Sequence, residues 1–368
     1  MANDSGKEET SQEEVAGGLV VMRLGALGDV ANTLPAVSAL RRSLPDAHIA
    51  WIVEEPSRDL VAAAGVADEV ILFPRRAIAA HFRRPWTWHR GIAGFFSFIR
   101  ALRAKRYDCI LDFQGNFKSG LITFTSGCPA KIGFGRGFCR EGNWLFSNLQ
   151  AVPSSQRMPR AEKNAALAQV VQPELELGPV AIPVNADKAG LAAAFVAEFP
   201  AKGPLVLMHP GTSAFGEFKR WPPDRYGALA ARLVERLNAR CAVTWGPSER
   251  ALAEEVVAAS KDAARLAPAL DIPGLIELLR LADLVVAADT GPLHVAALLQ
   301  RPVVAIYGPK DPDIYGPYGT RCEMVRAGLP CSPCGRRSCD HGRCMKEITV
   351  EMVEGAVEKA LSPEAKRD

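Results

Sequence analysis

Three places in the chain put reactive side chains where an apolar run gives way to a small-residue turn. Gly25-Ala-Leu-Gly28-Asp29 follows the run that ends at Arg23. His209-Pro-Gly-Thr212-Ser213, with Lys219-Arg220-Trp221-Pro222 just beyond, follows Pro204-Leu-Val-Leu-Met. Asp289-Thr290-Gly291-Pro292-Leu-His294 follows Leu284-Val-Val-Ala-Ala288. A strand that ends in such a turn at a helix start aims backbone N–H groups and a helix dipole at one point, where an anion can sit. The first turn lacks the G-x-G-x-x-G spacing of a dinucleotide site, and its Asp29 would repel a pyrophosphate. That carboxylate suits proton abstraction instead; the bland alternative is a helix cap. The second turn supplies hydroxyls, amides and a cation, a set able to neutralise a diphosphate leaving group without a metal. An ordinary surface loop with one solvated lysine would read the same way. In the third, a hydroxyl, a glycine for close approach and Pro near the first helical turn bring His294 to the same point. Glu249, after Gly246-Pro-Ser, could grip ribose hydroxyls or simply open a helix.

Two further clusters carry chemistry. From Arg75 to Arg106 there are nine Lys or Arg and no acid, interleaved with Trp86, Trp88, Phe95, Phe96 and Phe98. That mixture suits anionic lipid headgroups or a phosphorylated acceptor, and single-stranded nucleic acid could use it too. A solvated helix with some core aromatics is the plain alternative. Near the C-terminus, Cys331, Cys334, Cys339 and Cys344 are spaced for a metal or labile disulfides, but not as two paired C-x-x-C knuckles.

The elements that must position these groups follow a strand, turn, helix, strand rhythm. Strands are expected at 18–23, 48–53 and 107–112 in the first half, and at 204–209, 241–245, 284–288 and 301–307 in the second. Leu34, Val37, Leu40 and Leu44 form a helical stripe stopped by Pro45, and Tyr226, Leu229, Leu233 and Leu237 form another. A Pro-rich stretch, 172–185, separates the halves. At 368 residues the chain has room for two domains of roughly 150 residues each. The expected architecture is α/β, two Rossmann-like domains facing each other across a cleft. The expected divisions are a disordered leader at 1–17, an acceptor-binding domain at 18–178, a nucleotide-sugar domain at 179–345, and a helix and tail at 346–368. With 48 % apolar and 23 % charged residues the composition is that of a globular protein. No apolar run reaches the roughly 20 residues of a membrane span. The acidic N-terminus is no signal peptide, and a net charge of +3 does not itself imply nucleic acid. A cytosolic protein is expected.

Taken in order, Arg23-Leu-Gly-Ala-Leu-Gly-Asp29 with Thr33-Leu-Pro35, Trp51-Ile-Val-Glu-Glu55, Asp112-Phe-Gln-Gly115 with Lys118-Ser119, Lys219-Arg-Trp-Pro222, and Asp289-Thr-Gly-Pro-Leu-His294 with Tyr307-Gly-Pro309 resemble glycosyltransferase family 9. These are the ADP-heptose:lipopolysaccharide heptosyltransferases, and Trp51–Glu55 leans toward the heptosyltransferase I branch. The resemblance runs from about residue 18 to 355. It implies a GT-B fold and an inverting, metal-independent transfer of heptose from ADP-heptose to the Kdo region of the lipopolysaccharide inner core, on a Kdo-lipid A type acceptor. By position it implies Asp29 as catalytic base and Lys219, Thr212 and Ser213 on the donor diphosphate. It also implies Glu249 on the ribose, Leu270 in the adenine pocket, Thr290, Gly291 and His294 in the phosphate-side loop, and Asp289 on the sugar. Acceptor contacts are expected from Gly28, Gln114, Lys118, Arg75, Arg76, Arg83 and Arg84. No cofactor beyond the donor, no catalytic metal and no nucleic acid are expected. The enzyme would sit at the cytoplasmic face of the inner membrane. The competitors are a nicotinamide-dependent oxidoreductase, with Glu54 or Glu55 on a ribose, and a non-catalytic redox or metal sensor built on the four cysteines.

Overall fold

A computed structural model describes residues 18–82, 86–336 and 338–362. The expected leader at 1–17, together with Arg83 and Arg84, therefore lies outside the described residues. Six strands make a first sheet: β1 (Leu19–Met22), β2 (Ile49–Val53), β3 (Glu69–Leu72), β4 (Cys109–Asp112), β5 (Ala130–Phe134) and β6 (Leu149–Ala151). Six make a second: β7 (Leu205–His209), β8 (Arg240–Val243), β9 (Ala264–Leu266), β10 (Leu284–Ala288), β11 (Val303–Ile306) and β12 (Cys322–Val325). Their spatial orders are β3-β2-β1-β4-β5-β6 and β12-β11-β10-β7-β8-β9. Counted within its own half, each sheet has the order 3-2-1-4-5-6, and every pairing is parallel. The halves share a topology although no residue-level repeat connects them.

Parallel strands covered on both faces become continuous apolar runs. β1, β2, β7 and β10 are buried along their whole length. The first half's core is built on Trp51, Leu34, Leu40 and Leu111; the second half's on Trp221, Tyr226, Leu229 and Val286. Trp221 packs edge-on to Tyr226, with ring centroids 4.7 Å apart, and donates its indole N–H to the Ile348 carbonyl at 2.9 Å. The C-terminal helix, Val350–Leu361, buries Val353, Val357 and Ala360 in that same core. Between the halves, 172–185 contains no helix or strand.

In each sheet the strand order reverses at the centre, between β1 and β4 and between β7 and β10. Ligands of open α/β sheets bind at the carboxyl ends of strands flanking such a reversal. All three turns singled out in the sequence leave from those ends: 25–29 after β1, 210–213 after β7, and 289–294 after β10. The turn after β4 is fixed by Asp112, whose fully buried carboxylate accepts from Gln114 N and Gly115 N, both at 3.0 Å, Ser119 Oγ at 2.8 Å and Asn143 Nδ2 at 2.7 Å. Burial pushes the Asp112 carboxyl up, yet four donors surround it and favour the ionised form. Asp112→Ala strands those donors and is expected to lower stability by roughly 3 kcal/mol in urea denaturation. A loss below about 1 kcal/mol would mean that the network is not what holds this turn.

Candidate active site

After β1 the chain enters a short helix, Leu27–Ala31, with Asp29 in its first turn. No side chain caps this helix, so the capping alternative for Asp29 is not what is found. Its Oδ1 instead lies 2.8 Å from the Arg23 guanidinium, which is nearly buried while Asp29 keeps 40 % of its side chain exposed. A second Arg23 nitrogen donates to the Phe113 carbonyl at the end of β4. Burial lowers the pKa of Arg23, and the charge of Arg160 adds to that, while Asp29 opposes it. The result is an exposed carboxylate on a rigid, buried anchor. Gln114 secures the same turn from the other side, accepting from Leu24 N at 3.1 Å.

Facing Asp29 is the helix Gly291–Leu298 of the second half. The two helix starts touch through glycines. A Cβ at Gly28 would come within 3.0 Å of the His294 ring, and one at Gly291 within 2.7 Å of Leu27. Asn32 Nδ2 completes the seam, 3.4 Å from His294 Nδ1. The other ring nitrogen, Nε2, meets Asp289 Oδ1 at 3.2 Å, and Lys219 Nζ meets Asp289 Oδ2 at 2.8 Å and the Asp289 carbonyl at 2.6 Å. Burial alone would raise the Asp289 carboxyl. The hydrogen bond from His294 and the charge of Lys219 outweigh it and hold Asp289 well below the ordinary carboxylate range. Lys219, Asp289, Thr290, Gly291 and His294 thus lie together, opposite Asp29 and Gly28. Lys219 is no free cation, however, since two of its three protons are committed to Asp289.

Thr212 and Glu249 are also more occupied than the sequence suggests. Thr212 is buried, and Arg220 donates to its hydroxyl and to its carbonyl, both at 3.1 Å. Ser213 is exposed. Glu249 Oε2 accepts from Gly246 N at 2.9 Å and lies 3.4 Å from His209 Nε2, whose Nδ1 is 3.0 Å from Thr244 Oγ1. Burial would raise the Glu249 carboxyl, but His209 and the Gly246 amide bring it below its ordinary value. Any side chain at Gly211 would overlap this carboxylate. Leu270, half-buried, packs beside Gly274. On the first half, Glu54 receives both Lys118 Nζ at 2.9 Å and Arg75 at 3.1 Å, joining two of the expected acceptor cations on one carboxylate. Arg76 is exposed on the helix Arg75–Phe82.

One cluster of cationic and aromatic side chains has no counterpart among the expected site residues. The Tyr315 ring has the Arg160 guanidinium 4.8 Å and the Lys310 ammonium 4.7 Å from its centroid. Lys163 lies over Phe134 and donates to the Phe138 carbonyl at 2.5 Å. Its pKa falls to about 8, through burial first and then the positive fields of Arg160, Arg23 and Arg140. Among the described residues none of Arg140, Arg160, Lys163 and Lys310 is ion-paired with a carboxylate. Next to them Arg157 crosses between the halves to Asp311 at 3.2 Å and Asp313 at 2.9 Å. These cations come from separated stretches of chain; of the residues missed, Arg23, His209 and Arg220 stood in quoted motifs and Lys310 directly after one.

The four clustered cysteines carry free thiols, with Cys331, Cys334 and Cys339 exposed and Cys344 buried. Among the described residues no three His, Cys, Asp or Glu side chains are grouped to hold a metal ion. The metal-sensing alternative gains no support from this arrangement, and the first turn, filled by the Arg23–Asp29 pair, gives none to a dinucleotide site.

Residues 95–344 match the family model of glycosyltransferase family 9 (heptosyltransferase). The chain is 29 % identical over 325 residues to lipopolysaccharide heptosyltransferase 1 of Pseudomonas aeruginosa, covering 88 % of this chain and 87 % of that one. Among solved structures it is similar to the Escherichia coli heptosyltransferase WaaC with ADP-2-deoxy-2-fluoro heptose (25 % identity, TM-score 0.70, 93 % of this chain and 99 % of that one). The fold alone is shared with a family 9 glycosyltransferase from Veillonella parvula (20 % identity, TM-score 0.74, 94 % and 97 % covered). The two facing Rossmann-like domains are those of the GT-B fold, and the chain belongs to glycosyltransferase family 9, the heptosyltransferases.

Proposed function

We propose that this glycosyltransferase moves heptose, with inversion, from ADP-heptose to the Kdo region of a lipopolysaccharide inner core. The observation that carries the proposal is the seam itself. An exposed carboxylate, Asp29, follows Gly28 in the chain, and Gly28 lies against Gly291 and the His294 ring of the Lys219–Asp289–His294 group. The P. aeruginosa relative is named a lipopolysaccharide heptosyltransferase, and WaaC is named with an ADP-heptose analogue, which supports the choice of donor and acceptor.

In this scheme Asp29 accepts the proton of the acceptor hydroxyl as that oxygen attacks the anomeric carbon. The bond between that carbon and the diphosphate oxygen breaks, and its electron pair leaves with ADP. The growing charge meets the third proton of Lys219, the Ser213 hydroxyl and the amides opening the helix at Gly291. Asp289, held ionised by His294 and Lys219, accepts sugar hydroxyls. Glu249 offers Oε1 to the ribose, since Oε2 is turned inward, and Leu270 lines the adenine. No cofactor beyond the donor is required. Arg140, Arg160, Lys163 and Lys310 form the anion-binding wall of the acceptor side and suit the carboxylates of Kdo. Gly28, Gln114, Lys118, Arg75 and Arg76 complete that side, as do Arg83 and Arg84 by their place in the sequence. The enzyme works at the cytoplasmic face of the inner membrane, where a Kdo-lipid A acceptor would be anchored. No helix among the described residues is long and apolar enough to cross a membrane.

Asp29→Asn is expected to cut turnover by about 10²–10⁴-fold while leaving ADP affinity by calorimetry intact. Near-normal turnover would remove Asp29 as the base. Lys219→Ala is expected to weaken ADP binding roughly tenfold or more, because a charge-assisted contact is lost and the buried Asp289 keeps only His294 as a partner. Unchanged affinity would contradict its place on the diphosphate. Because Lys163 titrates near 8 rather than near 10.5, its charge is present below that pH and lost above it. The KM for acceptor is therefore expected to rise as pH passes through about 8, and Lys163→Arg to flatten the rise. A rise that persists in the arginine variant would assign it to another group.

A further inference from the structure

The basic–aromatic stretch forms two packed helices, Arg75–Phe82 and Trp88–Arg103, standing off the carboxyl end of the edge strand β3. Part of this unit is ordinary core: Phe98 packs edge-on to Phe73 with centroids 5.2 Å apart, and Ile99 and Leu102 are buried. The other part is not. Trp86 is 75 % exposed, Trp88 54 %, Ile92 37 % and Phe96 60 %. Trp88, Ile92 and Phe96 recur every four residues, so they line one side of the helix. Scattered exposed hydrophobes need no explanation, but four large ones within residues 86–96 make a patch.

The charge around the patch has one sign. Residues 75–106 contain no Asp or Glu, and Arg76, Arg90 and Arg100 are exposed without an ion pair among the described residues. Indole rings flanked by unpaired arginines match the interface of an anionic bilayer, where rings enter the headgroup layer and guanidinium groups stay on the phosphates. An ordinary protein partner would leave that excess charge unmatched. Position agrees as well. Because the first sheet is parallel, the end of β3 lies on the same side as the ends of β1 and β4. Arg75, at the root of the unit, shares Glu54 with Lys118 of the acceptor side.

We propose that this helical pair is the membrane-docking element, inserting Trp86, Trp88, Ile92 and Phe96 into an anionic phospholipid leaflet and so setting the acceptor side of the cleft against the headgroups. The proposal rests on the acceptor being lipid-borne, and it names the surface and the lipid class.

The test is co-sedimentation of the full chain with acceptor-free vesicles of phosphatidylcholine, with and without phosphatidylglycerol. Wild type is expected to partition at least tenfold more strongly onto the anionic vesicles. Trp88→Ser/Phe96→Ser should lose at least tenfold of that binding, and Arg90→Gln should reduce its salt sensitivity. Transfer to detergent-dispersed Kdo-lipid A by the double variant should stay within twofold of wild type, a readout that reports on the enzyme separately from the membrane. Equal binding by the double variant overturns the proposal. So does equal binding to neutral vesicles. A wild-type dimer in size-exclusion chromatography that the double variant converts to monomer would also overturn it, by assigning the patch to a second copy of the chain.

Discussion

Two helix starts, one from each half, meet at Gly28 and Gly291 with no room for a side chain between them. Asp29, Asp289 and His294 all lie on the two turns that meet there. The contact sets the turn that carries Asp29 against the helix start that carries Asp289 and His294, one from each half. The constraint is steric before it is electrostatic: glycine at both positions lets two dipoles point into a common space from opposite sides.

Around this seam, charges are held rather than free. Arg23 is buried and fixes Asp29; Asp289 fixes Lys219; His209 fixes Glu249; Glu54 fixes Lys118 and Arg75. Such pairs cost little reorganisation when charge moves during reaction. The exception among the described residues is the group of Arg160 and Lys310 on Tyr315, Lys163 on Phe134 and nearby Arg140, none of them paired with a carboxylate. Unpaired positive charge at that density is unfavourable in an empty cleft and becomes favourable when an anion enters.

The central strands were legible because burial on both faces writes them as apolar runs. Seven of the twelve strands among the described residues follow from that signal. Four of the five missed strands, β3, β6, β9 and β12, are the edges of the two sheets, short and only partly buried, so their polarity is mixed. The fifth, β5, is interrupted by Lys131 and Gly133. The turns were legible as well, since each follows a central strand. What the sequence withheld was partnership. Arg23 reads as one letter of a motif, and only the fold turns it onto Asp29. Arg140, Arg160, Lys163 and Lys310 are separated by up to 170 positions in the chain, and no spacing rule joins them. Lys219 reads equally as a diphosphate ligand or a solvated cation, and its partner Asp289 is hidden because it is far away in sequence.

The most direct test of the account is a mass-spectrometric transfer assay of the full chain on Kdo-lipid A, with ADP-heptose, GDP-sugar and UDP-sugar donors offered in parallel. A single heptose is expected to be added from ADP-heptose alone, with release of ADP. Transfer from the GDP or UDP donors at a comparable rate, or hydrolysis of ADP-heptose with no heptosylated product, would contradict it.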